Sequence, residues 1–183
     1  MKLPISCIGT GGGGRASLSF RIIALLLLAV MTLGLLVSCG ENKTYTFEEF
    51  SFTIPKKMRK TPVEGVDMCY SSIEAAISVQ KMTADKLSAL DLDETATVKE
   101  LTDAFFEKNG IDANQCYLTF EEEQNAYKFR YSFSPDGENM YFHYVVMIGE
   151  VGKLYFVDMT ADYEKSPSYL SVFGDWADSF KVR

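Results

Sequence analysis

The feature that most constrains the fold is a series of four segments near the carboxyl end, at residues 116–121, 127–133, 140–148 and 153–160. The first two alternate apolar with polar residues, which is typical of half-buried strands, and the third is almost entirely apolar. The connections at 122–125, 135–138 and 149–152 are short enough to force antiparallel neighbours. The sequence therefore predicts four consecutive strands in one sheet, with one face lined by aromatic side chains.

An aromatic face needs a cover, and the last segment can supply it. Ser166 is placed to cap a helix and Pro167 suits the first helical position. The apolar positions that share one face of this helix are Tyr169, Leu170, Phe173, Trp176, Ala177 and Phe180. We predict that this closing helix covers the aromatic face and buries the single tryptophan.

The earlier part of the chain adds strands and a second helix. Strand patterns occur at 44–46, 50–54, 66–70 and 75–82, and residues 84–90 favour a short helix. Thr97 and Glu100 have the spacing of a capping box, which starts an amphipathic helix that ends at Asn109 and Gly110. The predicted class is α+β, a curved antiparallel sheet packed against helices.

The amino-terminal segment has the pattern of a lipoprotein signal peptide. Three basic residues precede an apolar run at 22–37, which has 16 residues where a membrane span needs about 20. The run ends in Leu36-Val37-Ser38-Cys39-Gly40, a small residue followed by a thiol that can be acylated. We expect a signal peptide at 1–38, acylation of Cys39, an acylated tether at 39–43 and a domain at 44–183. The alternatives left open are an uncleaved anchor helix and a start codon downstream of Met1.

The charge of the remaining chain limits its partners. Without residues 1–38, 15 basic residues face 25 acidic ones, for a net charge of −10. This balance argues against nucleic acid and against charge alone as the membrane anchor. The dense basic cluster at 56–60 could meet an acidic partner, although a solvated loop is the simpler interpretation.

No constellation in the sequence declares a chemistry. His143 is the single histidine and lies in a predicted strand, where we expect packing rather than catalysis or metal binding. Asp91, Asp93 and Glu94 lack the glycine and glutamate that a calcium loop requires downstream. The three glutamates at 121–123 fit a solvated hairpin tip. The sequence therefore predicts no enzyme, no cofactor and no metal site.

Two cysteines remain after the expected processing. Cys69 and Cys116 each lie in a predicted strand, where cysteine serves as a small buried hydrophobe. A disulfide between them is not excluded by sequence, but a domain of this size does not need one. We predict two buried, reduced thiols.

The order of elements resembles the PsbP/DcrB-type family over residues 44–182. The resemblance is carried by Phe-Ser-Phe-Thr-Ile-Pro at 50–55, Tyr-Lys-Phe-Arg-Tyr at 127–131 and the closing helix with Trp176 and Phe180. It implies an α+β sandwich and an accessory or partner-binding role. No motif of this family carries a functional residue onto the chain.

These observations lead to a functional expectation with one alternative. We expect a lipoprotein of the bacterial cell envelope, anchored outside the cytoplasm through acyl chains on Cys39, whose non-catalytic domain binds or helps assemble an envelope protein. The alternative is a carrier that holds a small apolar ligand on the concave face of the sheet, because 10 tyrosines and 13 phenylalanines could line a pocket.

Overall fold

Strands dominate the computed structural model, which describes residues 41–134 and 138–183. The strands are β1 (Asn42–Thr46), β2 (Phe50–Pro55), β3 (Arg59–Lys60), β4 (Met68–Ser71), β5 (Ala75–Lys81), β6 (Thr119–Glu121), β7 (Ala126–Phe133), β8 (Tyr141–Glu150), β9 (Lys153–Asp162) and β10 (Lys181–Val182). The helices are α1 (Ala84–Ser88), α2 (Val98–Asn109) and α3 (Ser166–Ser179). The predicted signal peptide, Cys39 and most of the turn at 135–138 lie outside the described residues.

The main sheet of the described residues is antiparallel, with strand order β3-β4-β5-β9-β8-β7-β6. The four strands predicted at the carboxyl end are consecutive neighbours in this sheet, as expected. The first is shorter than predicted, because Tyr117 adopts a left-handed conformation (φ 47°) and Cys116 ends a 3₁₀ turn instead of lying in a strand. The α+β class is confirmed.

A smaller sheet contains strands from both ends of the described chain. Its order is β1-β2-β10, so β2 lies between the first strand and the last. Thr44 pairs with Thr53, and Lys181 pairs with Ser51 across the other edge of β2. The sequence pattern did not indicate β10, which has two residues.

One face of the main sheet, called here the α3 face, is covered by α3 together with the small sheet. Phe173 and Phe180 are 0% and 1% exposed, and Trp176 is 5% exposed, so the predicted burial of the tryptophan is confirmed. The rings of Phe50 and Phe180 stack at 5.4 Å between centroids. Aromatic packing between helix and strands therefore closes this side of the sheet.

The opposite face, called here the α2 face, is covered over β7 and β8 by α2. The capping box is present: the Thr97 side chain accepts from the Glu100 N–H, and the Glu100 carboxylate accepts from the Thr97 N–H. The Phe106 ring meets the Phe129 ring edge-on at 4.7 Å. We predicted that the closing helix covers the aromatic side of β7, but this side packs on α2. The reason is that β8 and β9 bury apolar side chains on both faces of the sheet, so each face needs its own cover.

The two thiols are buried and unpaired, as predicted. Cys69 is 8% exposed and Cys116 is 2% exposed. In the part of the chain that the structure describes, no helix is long and apolar enough to cross a membrane.

Candidate functional site

The main sheet has an open edge in the second half of β7. The edge strand β6 pairs only with the first residues of β7, from Thr119↔Lys128 to Glu121↔Ala126. Beyond them, the Arg130 N–H donates to the Cys116 carbonyl at 2.8 Å. In an antiparallel ladder every second residue faces the same edge, so Ser132 turns its N–H and C=O outward. This stretch of backbone is a place where another strand can add.

A recess of about 450 Å³ lies beside this edge on the α3 face. Its apolar lining comes from Phe142 at the start of β8, from Leu170 on α3 and from Tyr163 in the turn before α3. Leu170 and Tyr163 are 38% and 51% exposed. The recess is therefore an open apolar depression against a strand edge, not an enclosed ligand cavity.

A second recess, of about 390 Å³, lies on the α2 face of the same strand. It is lined by Ile111 and Cys116 from the segment after α2 and by Tyr131 and Phe133 from β7. Phe133 is 54% exposed at the end of the strand. The two recesses flank the free edge on opposite faces, which is where alternate side chains of an added strand would point.

Tyr117 and Arg130 form the rim of the larger recess. The Arg130 guanidinium lies over the Tyr117 ring at 4.3 Å, a cation–π contact. Tyr117 is 74% exposed and has a left-handed backbone, a conformation that costs free energy for a bulky residue. Within the described residues no carboxylate lies within ion-pair distance of Arg130. The rim thus offers a cation and an aromatic surface to a bound group.

His143 lies in a polar cluster on the α2 face. Its Nδ1 is 3.1 Å from each carboxylate oxygen of Asp158, and its ring stacks on Tyr131 at 4.7 Å. Burial and the charge of Asp158 raise the pKa of Tyr131. The nearest hydroxyl, Thr160 Oγ1, is 3.4 Å from the Nδ1 that Asp158 already engages. The same hydroxyl is 3.4 Å from Asp158 Oδ2, so His143, Asp158 and Thr160 form one packed polar cluster.

Lys128 is a charged residue whose burial the sequence pattern did not predict. Alternation along β7 predicted a polar face, yet Lys128 is 2% exposed beneath α3. Its Nζ donates to Asp178 and to Glu121, each at 2.6 Å. Burial alone would lower the pKa of Lys128, but these two carboxylates raise it above its ordinary value. Glu121 is therefore a structural partner and not part of a fully solvated tip.

The other predicted clusters do not converge on a site. Hydrogen bonds from Thr95 lower the pKa of Asp93, so this carboxylate caps its own turn. Across the described ranges, no group of three or more histidine, cysteine or acidic side chains is arranged to hold a metal ion. Burial raises the pKa of the Cys69 and Cys116 thiols, which disfavours a reactive thiolate.

The strand edge and its recesses were not predicted from the sequence. In the observed register the predicted strand at 116–121 would have covered β7 as far as Tyr131. The available signal was Asp112, Asn114 and Gln115 before Cys116; aspartate and asparagine in particular are depleted in strands.

Comparisons with known proteins identify the fold. No family model and no curated protein matches the sequence. The solution structure of cyanobacterial PsbP (CyanoP) from Synechocystis sp. PCC 6803 matches with a TM-score of 0.53 and 18% identity, covering 80% of this chain and 95% of that one. The Saccharomyces cerevisiae Ran-binding protein Mog1p matches with a TM-score of 0.50 and 10% identity, covering 78% of this chain and 95% of that one. The chain has a PsbP-like fold, as the resemblance implied.

Proposed function

We propose that this protein is a lipid-anchored accessory protein of the bacterial cell envelope, and that its domain binds an extended segment of another envelope protein along the free edge of β7. The observation that carries the proposal is the open edge at Ser132 with a recess on each face. In this mode of recognition, main-chain hydrogen bonds provide affinity and alternate side chains provide specificity.

The two recesses indicate the chemistry of the bound segment. A side chain directed to the α3 face would meet Phe142 and Leu170, which favours an aliphatic or aromatic residue. Arg130 lies at the rim of the same recess, and no carboxylate of the described residues forms an ion pair with it. The domain is strongly acidic, so this cation is one of few places where an acid on the partner would be attracted. The expected partner segment is therefore apolar with one acidic residue close to the edge.

The fold adds a weaker argument of analogy. One structural neighbour is a Ran-binding protein, so a PsbP-like fold serves protein binding in that case. Binding partners differ widely among proteins that share a fold, and the free edge of this chain remains the specific support.

A site-specific cross-link tests the binding edge. A photo-crosslinking amino acid replaces Tyr117 at the rim, or Val151 in the exposed turn between β8 and β9 as a control, and cells are irradiated. We expect a discrete cross-linked protein from position 117 and none from position 151. Ser132→Pro removes the outward N–H, which an edge strand tolerates, and should abolish the product, whereas Ser132→Thr keeps the N–H and should retain it. A product that survives Ser132→Pro would contradict strand addition.

The carrier alternative has a different expected outcome. The apolar side chains on both faces of the main sheet are packed in the two cores, so an apolar ligand would have to use the recess at Phe142 and Leu170. Native mass spectrometry of the protein extracted from its own membranes would then show a retained small molecule. Leu170→Asp would release it, while Ser132→Pro would not.

The anchor is supported by the sequence around Cys39 and by the short distance to the domain. The described domain starts at Glu41, two residues after Cys39, and β1 begins at Asn42. We expect that Cys39→Ser abolishes incorporation of a labelled fatty acid. Labelling that persists in this variant would overturn the proposed anchoring and leave the test of the β7 edge unaffected.

A further inference from the structure

The point where the chain enters the domain lies beside its dense basic cluster. Asn42 on β1 pairs with Pro55 on β2, and the Lys56 N–H donates to the Glu41 carbonyl at 2.8 Å. The Lys56 ammonium also pairs with the Glu41 carboxylate at 3.0 Å. The turn between β2 and β3 is therefore fixed next to Glu41, a proximity that the sequence does not reveal.

This basic turn is rigid and presents unpaired cations. Met58 is 4% exposed and belongs to the core of the α3 face, so it holds the turn against the domain. Its neighbours Lys57, Arg59 and Lys60 are exposed and have no ion-pair partner among the described residues. Lys165 has the strongest effect in lowering the pKa of the Glu74 carboxylate, and Lys57 lowers it further at longer range. The three exposed cations on this turn form a local basic surface on an acidic domain.

A fully exposed isoleucine lies at the same end. Arg59 pairs with Ser71, which places the turn between β4 and β5 beside the basic turn, and Ile73 at the tip of that turn is 103% exposed. The neighbouring Glu74 is already paired with Lys165 at 2.6 Å. The entry end, defined here as Glu41, residues 56–60 and residues 71–74, thus combines free cations with a projecting apolar side chain.

The opposite end of the domain carries exposed charges of both signs. The turn between β8 and β9 lies beside the turn between β6 and β7, since the Gly149 N–H donates to the Asn125 carbonyl. The exposed acids in the turns at this end are Glu48, Glu122, Glu123 and Glu150, and the cations Lys153, Lys181 and Arg183 lie at the same end. A negatively charged surface would therefore attract the entry end more strongly than this end.

We infer that the entry end is a membrane-docking surface, with the basic turn against anionic lipid headgroups and Ile73 at the interface. The inference rests on the proposed acylation of Cys39. Covalent geometry keeps Cys39 Cα within about 7 Å of Glu41 Cα, so an acylated Cys39 brings the entry end to the headgroups. The Lys56 ammonium contacts the Glu41 carboxylate, so the basic turn begins beside the anchored end of the chain, where anionic headgroups attract exposed cations. The acyl chains retain the protein, and the entry end sets its orientation.

The test measures orientation on the acylated full-length mature protein in vesicles. A fluorophore is attached to Ile73→Cys at the entry end or to Val151→Cys at the opposite end, while the buried Cys69 and Cys116 react much more slowly than these exposed thiols. Lipids with a quencher in the headgroup report proximity. In vesicles of phosphatidylethanolamine and phosphatidylglycerol we expect several-fold stronger quenching at position 73 than at position 151, and a smaller ratio in phosphatidylcholine alone.

Charge reversal provides the matched comparison. Lys57→Glu with Lys60→Glu should remove the excess quenching at position 73 in anionic vesicles. Lys108→Glu with Lys181→Glu changes the net charge equally at exposed sites elsewhere and should leave the quenching unchanged. Equal quenching at both labels, or equal effects of both pairs, in protein shown by mass to be acylated would overturn this inference alone. Absence of the acyl group would overturn the proposed anchoring and this inference with it.

Discussion

The two faces of the main sheet are built from the same strands, but they are covered to different extents. On β9, Val157 and Met159 point to the α3 face and are 1% and 0% exposed, whereas Asp158 and Thr160 point to the α2 face and are only half-buried. Helix α2 covers β7 and β8 but leaves a polar strip over β9 and β5. A sheet position therefore needs an apolar side chain only where a helix or the small sheet packs over it. Substitutions on the two faces should change the free energy of unfolding by different amounts.

The largest expected effect is from Trp176→Ala on the α3 face. Removal of this buried ring should lower the free energy of unfolding by about 3 to 5 kcal/mol, as for other buried aromatic residues. Phe105→Ala, at a half-buried position of α2, should lower the free energy of unfolding by only about 2 kcal/mol, because the Phe105 ring buries less apolar area than the Trp176 ring. Urea unfolding measures both, and equal losses would show that the faces do not differ.

The next effect concerns the ion pairs under α3. Asp178→Asn with Glu121→Gln leaves the Lys128 charge buried without a partner and should cost about 3 kcal/mol. Lys128→Met replaces the charge with an apolar chain of similar size and should stay within about 1 kcal/mol of the parent. A large loss for Lys128→Met would mean that the ion pairs themselves stabilise the fold.

High pH should weaken the faces through one tyrosine on each. Burial, aided by the hydrogen bond to Glu49, raises the pKa of Tyr155 on the α3 face, and burial with the charge of Asp158 raises the pKa of Tyr131 on the α2 face. A raised folded pKa gives stability that is complete below the unfolded pKa of about 10 and is lost as the pH rises above it. Each tyrosine should contribute a slope of at most about 1.4 kcal/mol per pH unit, which Tyr155→Phe or Tyr131→Phe removes. Unfolding measured between neutral pH and pH about 11 checks both slopes.

The smallest effect is kinetic and compares the two thiols. Cys69 faces the polar strip and is 8% exposed, whereas Cys116 is 2% exposed. A thiol reagent should react slowly with Cys69 in the folded protein and more slowly still with Cys116, and both should react once the chain is unfolded. Cys69→Ala and Cys116→Ala assign the two phases, and the reverse order of rates would contradict the incomplete cover of the α2 face.

The sequence predicted the elements that depend on local signals. The capping box at Thr97, the left-handed end at Gly110 (φ 62°) and the strand periods of β7 to β9 all have local causes. The sequence did not predict which helix covers which face. Val157 and Leu154 on β9 are both apolar, and only tertiary packing places Val157 in the core of the α3 face and Leu154 in the core of the α2 face. The burial of Lys128 has the same origin, since its partner Asp178 on α3 lies 50 residues away in the sequence.

The candidate site could be predicted less well than the fold. The site depends on where pairing stops along β7, and the strand period alone suggests that β6 continues. The left-handed Tyr117 ends that pairing, although tyrosine has no general preference for this conformation. A short interruption of this kind is determined by contacts such as that with Arg130, which become visible only when the chain is folded.

The pairing of β10 with β2 has a consequence for biosynthesis. Phe50 and Ser51 find their partners only at Val182 and Lys181, about 130 residues later in the chain. A ribosome delivers about 5 to 20 residues per second, so the small sheet waits several seconds for its third strand. During this interval the edge of β2 that β10 later covers stays unpaired, so the small sheet cannot be completed before β10 has been synthesised.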